Sequence, residues 1–184
     1  MNAEQLHKTL RASQYAEQVL GNHVLLLEQD YAIDQFLVPL STTQIQNLIH
    51  SALDNISDET TWMCAIRVLR ARLMFRWIWQ DANQLTDVVT LTRELSDFAD
   101  ASICAAKDFA RVPLVLKYGE PIGYSGTVQD LIVVAMGKLG AQELNLSSDI
   151  DLIFAFGEQG ETNGRKCIDV QQFCILWGQK LIYL

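Results

Sequence analysis

The sequence predicts an α+β protein that is helical over most of its length, and two observations carry this prediction. Apolar residues recur at helical spacing through residues 1–118, which predicts an N-terminal helical bundle. From Gly119 onward, turn-forming residues separate two short apolar runs typical of strands, and one more helical pattern follows them. We therefore divide the chain into a helical region, residues 1–118, and a second, mixed region, residues 119–184.

Four helices account for the first region. The first covers Ala3–Leu20, and a Ser41–Gln44 capping box begins the second, which ends near Asn55. Asp58 caps the third, and the fourth covers Thr86–Ala110 or runs on past Ala110. The third helix contains four arginines: Arg67, Arg70, Arg72 and Arg76. They indicate either a solvated face with ion pairs or a basic rim for an anionic substrate.

The second region alternates turns with strands. Its predicted elements, in chain order, are a loop (Gly119–Gly126), a strand buried on both faces (Asp130–Met136), a tight turn (Gly137–Gly140), a short helix (Ala141–Leu144), a second strand (Ile150–Phe156), a polar turn (Glu158–Arg165) and a helix (Ile168–Leu184) that begins near Asp169.

Composition excludes several classes of protein. With 49% hydrophobic and 20% charged residues, the chain can form a packed core. Its net charge of -8 argues against a protein that coats nucleic acid, because such binding needs an excess of Lys and Arg. The longest apolar runs fall far below the ~20 residues that span a bilayer. Without a secretion signal, the four cysteines predict reduced, mostly buried thiols in a cytoplasmic protein.

The candidate metal-binding and phosphate-binding residues lie around the second predicted strand. Asp149 and Asp151 are two positions apart, so a strand would direct both carboxylates to one side. Two such carboxylates suit Mg²⁺, which completes its shell with water and substrate phosphate. The preceding strand delivers Gly137 to the same edge, where a glycine lets backbone amides approach phosphate. Lys138 adds a cation and Ser148 a hydroxyl donor.

Three other motifs do not fit this stretch. A Walker A loop requires Ser or Thr after Gly-Lys, and here Leu139 follows Lys138. Leu139 also replaces the second glycine of a dinucleotide fingerprint, and Phe154 stands where an EF-hand needs glycine. The remaining order, a strand, a glycine turn, a short helix and a strand with Asp-x-Asp, resembles the nucleotidyltransferase superfamily related to polymerase β.

The wording of residues 136–154, Met-Gly-Lys-Leu-Gly-x-x-Glu-Leu-Asn-x-Ser-Ser-Asp-Ile-Asp-Leu-Ile-Phe, is similar to the glutamine synthetase adenylyltransferase/adenylyl-removing enzyme family. Met136 and Leu144-Asn145 resemble its N-terminal, adenylyl-removing half more than its C-terminal half. The resemblance implies a cytoplasmic enzyme that cleaves the AMP–tyrosine bond on glutamine synthetase. Phosphate would be the nucleophile, ADP and tyrosine the products, and a PII-type nitrogen signal protein and glutamine the regulators.

Carried over residue by residue, the resemblance implies that Asp149 and Asp151 hold Mg²⁺, while Gly137, Lys138 and Ser148 contact the phosphates. The family's third carboxylate lies in a later Asp-x-Arg-x-Arg-Pro segment, which is absent here. We therefore expect a truncated nucleotidyltransferase domain, with an incomplete metal site, an exposed sheet edge and weak or no catalysis.

Two other functions stay open from the sequence. One is the sister transferase, which forms the AMP–protein bond instead of breaking it, because direction depends on substrates and partners. The other is a non-catalytic regulatory module whose helices dock a partner and whose acidic pair is a relic. Metal-dependent nucleotide binding separates the enzymes from the regulatory module.

Overall fold

The structure, a computed structural model, describes residues 3–21 and 38–184 and confirms a mostly helical α+β protein. The helices are α1 (Ala3–Ala12), α2 (residues 14–21), α3 (Thr42–Leu53), α4 (Glu59–Ala82), α5 (Val88–Tyr118), α6 (Gly137–Gly140) and α7 (Val170–Tyr183). The strands are β1 (Pro121–Gly123), β2 (Ile132–Ala135), β3 (Leu152–Ala155) and β4 (Gly160–Thr162). Among the described helices, none is long and apolar enough to cross a membrane.

The chain forms two compact units. The first contains the residues up to Ala99 together with 142–148, and the second contains 100–141 together with 149–184. The two units are defined by compact packing alone. The division of the chain into domains between residues 118 and 119 stays a prediction.

The core of the first unit is built on α4. Its side chains Phe75, Ile78 and Trp79 are buried with Ala16 and Val19 of α2. The apolar positions predicted to face inward from the first helix therefore do so. The prediction of one helix over Ala3–Leu20 is wrong in one respect, because the helix is interrupted at Ser13, whose Oγ accepts the Ala16 N–H at 3.3 Å. A serine that caps a following turn competes with an uninterrupted helix.

Local capping sets the beginnings of α3 and α4. The Ser41 Oγ accepts the Gln44 N–H, and the Gln44 side chain accepts the Ser41 N–H, so the predicted capping box is confirmed. Asp58 accepts the Thr61 N–H at 2.8 Å, which confirms it as the cap of α4. The sequence also contains a short apolar stretch, Tyr31–Val38, which ends at Pro39. This stretch lies outside the described residues except for Val38 itself.

A buried ion pair joins α4 to α5. The Arg76 guanidinium donates to Glu94 Oε2 at 2.6 Å and to the Val38 carbonyl at 2.6 Å. Trp77 Nε1 donates to the same Glu94 oxygen at 2.8 Å, and the Leu40 N–H donates to Glu94 Oε1 at 3.0 Å. Arg76 and Glu94 are only 4% and 2% exposed. We call these two residues and their three partners the Glu94 node.

The node corrects the reading of the third helix's arginines as a solvated face. Arg67 and Arg70 are exposed, as that reading expects, whereas Arg76 is buried in the core. Burial also lowers the pKa of the Arg72 guanidinium. Helical spacing alone does not separate these cases, because the partner of Arg76 is 18 residues away in the chain.

The second unit contains two antiparallel strand pairs. β2 pairs with β3, with Val133 opposite Phe154 and Ala135 opposite Leu152. This half-buried face packs toward α7, where a Cβ added at Gly178 would lie 3.3 Å from the Phe154 ring. The prediction that the first strand is buried on both faces is wrong, because its alternate residues are exposed. The exposed large residues of the pair are Ile132, Val134 and Ile153.

The second pair, β1 with β4, was not predicted. Residues 119–126 and 158–165 were expected to be loop and turn, yet Pro121 pairs with Thr162 and Gly123 with Gly160. The glycines here serve close approach of the strands: a Cβ at Gly160 would lie 2.0 Å from the Ile122 carbonyl oxygen. Glycine required by backbone proximity gives the same sequence signal as glycine in a turn.

α7 begins where predicted, with Asp169 at the N-cap, and packs on the second half of α5. The buried Trp177 donates its Nε1–H to the Lys107 carbonyl at 2.8 Å, and Lys107 and Arg111 each lie 5.8 Å from its ring centre. α5 reaches this helix because it runs on past Ala110 through Pro113 to Tyr118.

The cysteines correct another expectation. All four are free thiols, but only Cys174 of α7 is buried, whereas Cys64, Cys104 and Cys167 are exposed. The expectation of mostly buried thiols is therefore wrong. Burial raises the pKa of the Cys174 thiol to about 11, with a smaller contribution from the negative charge of Asp130.

Candidate functional site

The end of the β2–β3 pair brings Gly137 and Asp151 together. Ala135 is opposite Leu152, and the Met136 N–H donates to the Asp151 carbonyl at 2.9 Å, one residue beyond the paired strands. Gly137 follows with φ +56°, and a Cβ there would lie 3.5 Å from Asp151 Oδ2. The antiparallel register thus places a carboxylate beside a backbone segment that carries no side chain, as the sequence predicted for the edge at Gly137.

Asp149 and Asp151 precede β3 instead of lying within it. The second strand was expected over Ile150–Phe156, but pairing begins at Leu152. Strand alternation therefore does not decide where the two carboxylates point, and their shared orientation stays a prediction. Both residues are exposed, and Ile150 between them is 43% exposed.

Lys138 lies on a short helix where the sequence predicted a tight turn. α6 covers Gly137–Gly140, whereas residues 141–144, predicted to be helical, form a turn at 141–142 and irregular backbone after it. The reason lies in Leu139 and Gly140. Leu139 is 1% exposed, and a Cβ at Gly140 would lie 2.5 Å from the Ala135 carbonyl oxygen. Close packing against the end of β2 holds α6 in place and leaves Lys138 exposed.

Ser148 belongs to the first unit, where its side chain lies in a turn organised by Asn145. The Ser148 Oγ donates to Asn145 Oδ1 at 2.8 Å and accepts the Asn145 N–H at 3.1 Å. Asn145 Oδ1 also accepts the Ser147 N–H at 3.0 Å. From the sequence alone, Asn145 could either cap the short predicted helix or line the pocket. An asparagine followed by two serines is a signal for such a side-chain turn.

The acidic pair and Lys138 have few charged neighbours. Among the described residues, none of the ion pairs involves Asp149, Asp151 or Lys138. In the same parts of the chain, no group of three or more His, Cys, Asp or Glu side chains is placed to hold a metal. Two exposed carboxylates fit a hard cation that takes one or two protein ligands and obtains the rest from water and phosphate, as Mg²⁺ does.

Comparison with known proteins decides the family. The family model described as glutamate-ammonia ligase adenylyltransferase matches residues 3–184. The chain belongs to this adenylyltransferase family. The resemblance found from residues 136–154 is thereby confirmed at the level of the family.

Several relatives carry the name bifunctional glutamine synthetase adenylyltransferase/adenylyl-removing enzyme. The protein from Acinetobacter baylyi is 76% identical over 184 residues, which are 100% of this chain and 20% of the relative. The protein from Thioalkalivibrio sulfidiphilus is 38% identical over 163 residues, 89% of this chain and 16% of the relative. The protein from Hahella chejuensis is 48% identical over 118 residues, 64% of this chain and 12% of the relative. The chain thus spans about a fifth or less of the length of these adenylyltransferase relatives.

Proposed function

We propose that this chain contributes the nucleotide-binding part of an enzyme that removes AMP from adenylylated tyrosine of glutamine synthetase by Mg²⁺-dependent phosphorolysis. The family and the names of the relatives support adenylyl chemistry on glutamine synthetase. The observation that carries the proposal to residues is the approach of Asp151 to the bare backbone at Gly137. In this proposal, the chain forms a helical bundle followed by an incomplete polymerase-β-like nucleotidyltransferase domain. The enzyme acts in the cytoplasm.

The roles follow from the chemistry of each group. Asp149 and Asp151 would hold Mg²⁺, which when bound stabilises negative charge on the transferring phosphoryl group. Gly137 leaves its amide open to a phosphate oxygen, and the exposed Lys138 supplies a nearby positive charge. Ser148 is the remaining candidate for a phosphate contact. Positioning and charge neutralisation supply most of the catalysis in such reactions.

The proposed reaction transfers one adenylyl group. An oxygen of inorganic phosphate attacks the phosphorus of tyrosine-bound AMP, forming the new P–O–P bond of ADP. The bond from that phosphorus to the tyrosine oxygen breaks, and the phenolate leaving group takes a proton. Adenine nucleotide, phosphate and glutamine synthetase are therefore the direct partners in the proposal, and a PII-type signal protein is the proposed regulator.

Mg²⁺-dependent binding of ADP, measured by calorimetry, tests the nucleotide site. We expect binding by the wild-type chain and none by the double variant Asp149→Asn plus Asp151→Asn. The matched control, Asp81→Asn plus Asp108→Asn, removes two other exposed carboxylates and should bind like wild type. Equal binding by both double variants would refute the site at the acidic pair, whereas no Mg²⁺-dependent binding by the wild-type chain would favour the regulatory module.

The direction of the reaction needs a second test. A protein that contains this segment together with the rest of the relatives' length should release ADP from adenylylated glutamine synthetase and phosphate. Consumption of ATP with bare glutamine synthetase, and no ADP release from the adenylylated form, would instead support the sister transferase. The 184-residue chain alone should show weak or no phosphorolysis, and a substantial rate would contradict that expectation.

A further inference from the structure

The turn before the acidic pair is held together by the side chain of Asn145. Asn145 Oδ1 accepts three hydrogen bonds, from the Ser147 N–H at 3.0 Å, the Ser147 hydroxyl at 3.3 Å and the Ser148 hydroxyl at 2.8 Å. Asp149 directly follows Ser148 in the chain. One side chain therefore organises the last residues before the first proposed metal ligand.

The Ser148 hydroxyl is fully engaged in this turn. It has one proton, which it donates to Asn145 Oδ1, and it accepts the Asn145 N–H at 3.1 Å. The Ser148 N–H in turn donates to the Asn145 carbonyl at 3.2 Å. A hydroxyl bonded in both directions to one residue has no second proton for a phosphate oxygen.

We propose that Asn145 is a positioning residue for the acidic pair and that Ser148 acts through Asn145, instead of donating to the phosphates directly. This inference rests on the proposed function and revises one role in it. Two bonds in opposite directions between Asn145 and Ser148 fix the backbone that leads into Asp149. Asn145→Ala removes the acceptor of the Ser148 hydroxyl proton, and Ser148→Ala removes the acceptor of the Asn145 N–H, so each change weakens the same turn and the two effects should be coupled.

A double-mutant cycle on Mg²⁺-dependent ADP affinity tests the coupling, because it measures whether two residues act together. Asn145→Ala and Ser148→Ala should each weaken binding about five- to tenfold, as expected for loss of an intramolecular hydrogen bond of about 1 kcal/mol. The loss of affinity in the double variant should be smaller than the product of the two single losses. Effects that multiply in the double variant, or a loss confined to Ser148→Ala, would overturn the inference and restore a direct phosphate contact.

Two further variants separate positioning from general loss of structure. Asn145→Asp keeps the acceptor oxygen, so it should restore both Mg²⁺-dependent ADP binding and slow hydrogen exchange at the Ser147 amide. Ser147→Ala is the matched control, because it removes only the 3.3 Å hydroxyl contact and keeps the backbone bond. It should change affinity less than about twofold. Fast exchange at the Ser147 amide in the wild-type chain would contradict the turn.

Failure of the proposed function gives a different result. If the wild-type chain binds no ADP with Mg²⁺ present, the nucleotide site is refuted and the positioning role falls with it. If the wild-type chain binds and the cycle shows independent effects, only the role of Asn145 is refuted.

Discussion

The Glu94 node and the acidic pair use charged side chains in opposite ways. In the node, Arg76 and Glu94 are buried, and each Glu94 oxygen accepts protein hydrogen bonds. Asp149 and Asp151 are exposed and have no ion-pair partner among the described residues. Buried charges need protein partners because water is excluded, whereas exposed carboxylates remain free to bind a cation. The contrast separates residues that stabilise the fold from residues that we propose to bind a cation.

The largest effect is expected for Glu94→Ala. This change leaves the Arg76 charge buried without its partner, so the free energy of unfolding should fall by about 3–5 kcal/mol. Urea unfolding followed by tryptophan fluorescence measures it. The adjacent exposed Arg93→Ala is the control and should change stability by less than about 0.5 kcal/mol. Equal midpoints for both variants would show that the node does not stabilise the fold.

A smaller loss is expected for Gly140→Ala. The new Cβ would lie 2.5 Å from the Ala135 carbonyl oxygen, so α6 or β2 must shift. Overpacking of this kind costs about 1–3 kcal/mol, and Mg²⁺-dependent ADP binding should weaken together with stability. Gly21→Ala is the matched control, because no atom of the described residues lies within 4 Å of its added Cβ. Thermal unfolding of the two variants compares them, and a Gly140→Ala protein as stable as Gly21→Ala would contradict the packing of α6.

Ser41→Ala tests a structural feature that has no part in the nucleotide site. It removes the side-chain half of the capping box on α3 and should cost about 1 kcal/mol. Mg²⁺-dependent ADP affinity should not change in the folded variant. A large loss of affinity in this variant would contradict the separation between residues that stabilise the fold and residues proposed to bind the nucleotide and its cation.

The smallest expected effect concerns Cys174 and alkaline pH. Its folded-state pKa, raised to about 11, lies above that of an exposed thiol. The unfolded chain therefore loses this proton first, so the stability contribution is complete below the ordinary thiol pKa and is lost as pH rises toward about 11. At pH 8, a thiol reagent should label Cys64 and Cys104 quickly and Cys174 only on unfolding, as mass spectrometry of the labelled peptides would show. Equal labelling rates would contradict the burial of Cys174.

The sequence predicts features that depend on neighbours along the chain. The caps at Ser41 and Asp58 are local hydrogen bonds between residues three apart, so their motifs identify them. The approach of Gly137 to Asp151 follows from two strand patterns joined by a short connection. These features need no knowledge of distant contacts.

Features that depend on distant partners were missed. β1 pairs with β4 across some 40 residues, with Pro121 opposite Thr162, and the glycines at both strands favoured turns. The burial of Arg76 depends on Glu94, and the exposed face of β2 depends on what packs against it. At the candidate site, the sequence does not separate a cap from a pocket residue at Asn145, because the contacts of Asn145 with Ser147 and Ser148 are visible only in the structure.

The most direct test of the central claim uses Mn²⁺ in place of Mg²⁺. In amide spectra of the chain, substoichiometric Mn²⁺ should broaden the signals of Gly137 and Asp151 selectively, because the paramagnetic ion would lie between the two carboxylates beside the glycine. The broadening should vanish in the Asp149→Asn plus Asp151→Asn variant. A sharp Gly137 signal with Mn²⁺ bound elsewhere would contradict the account.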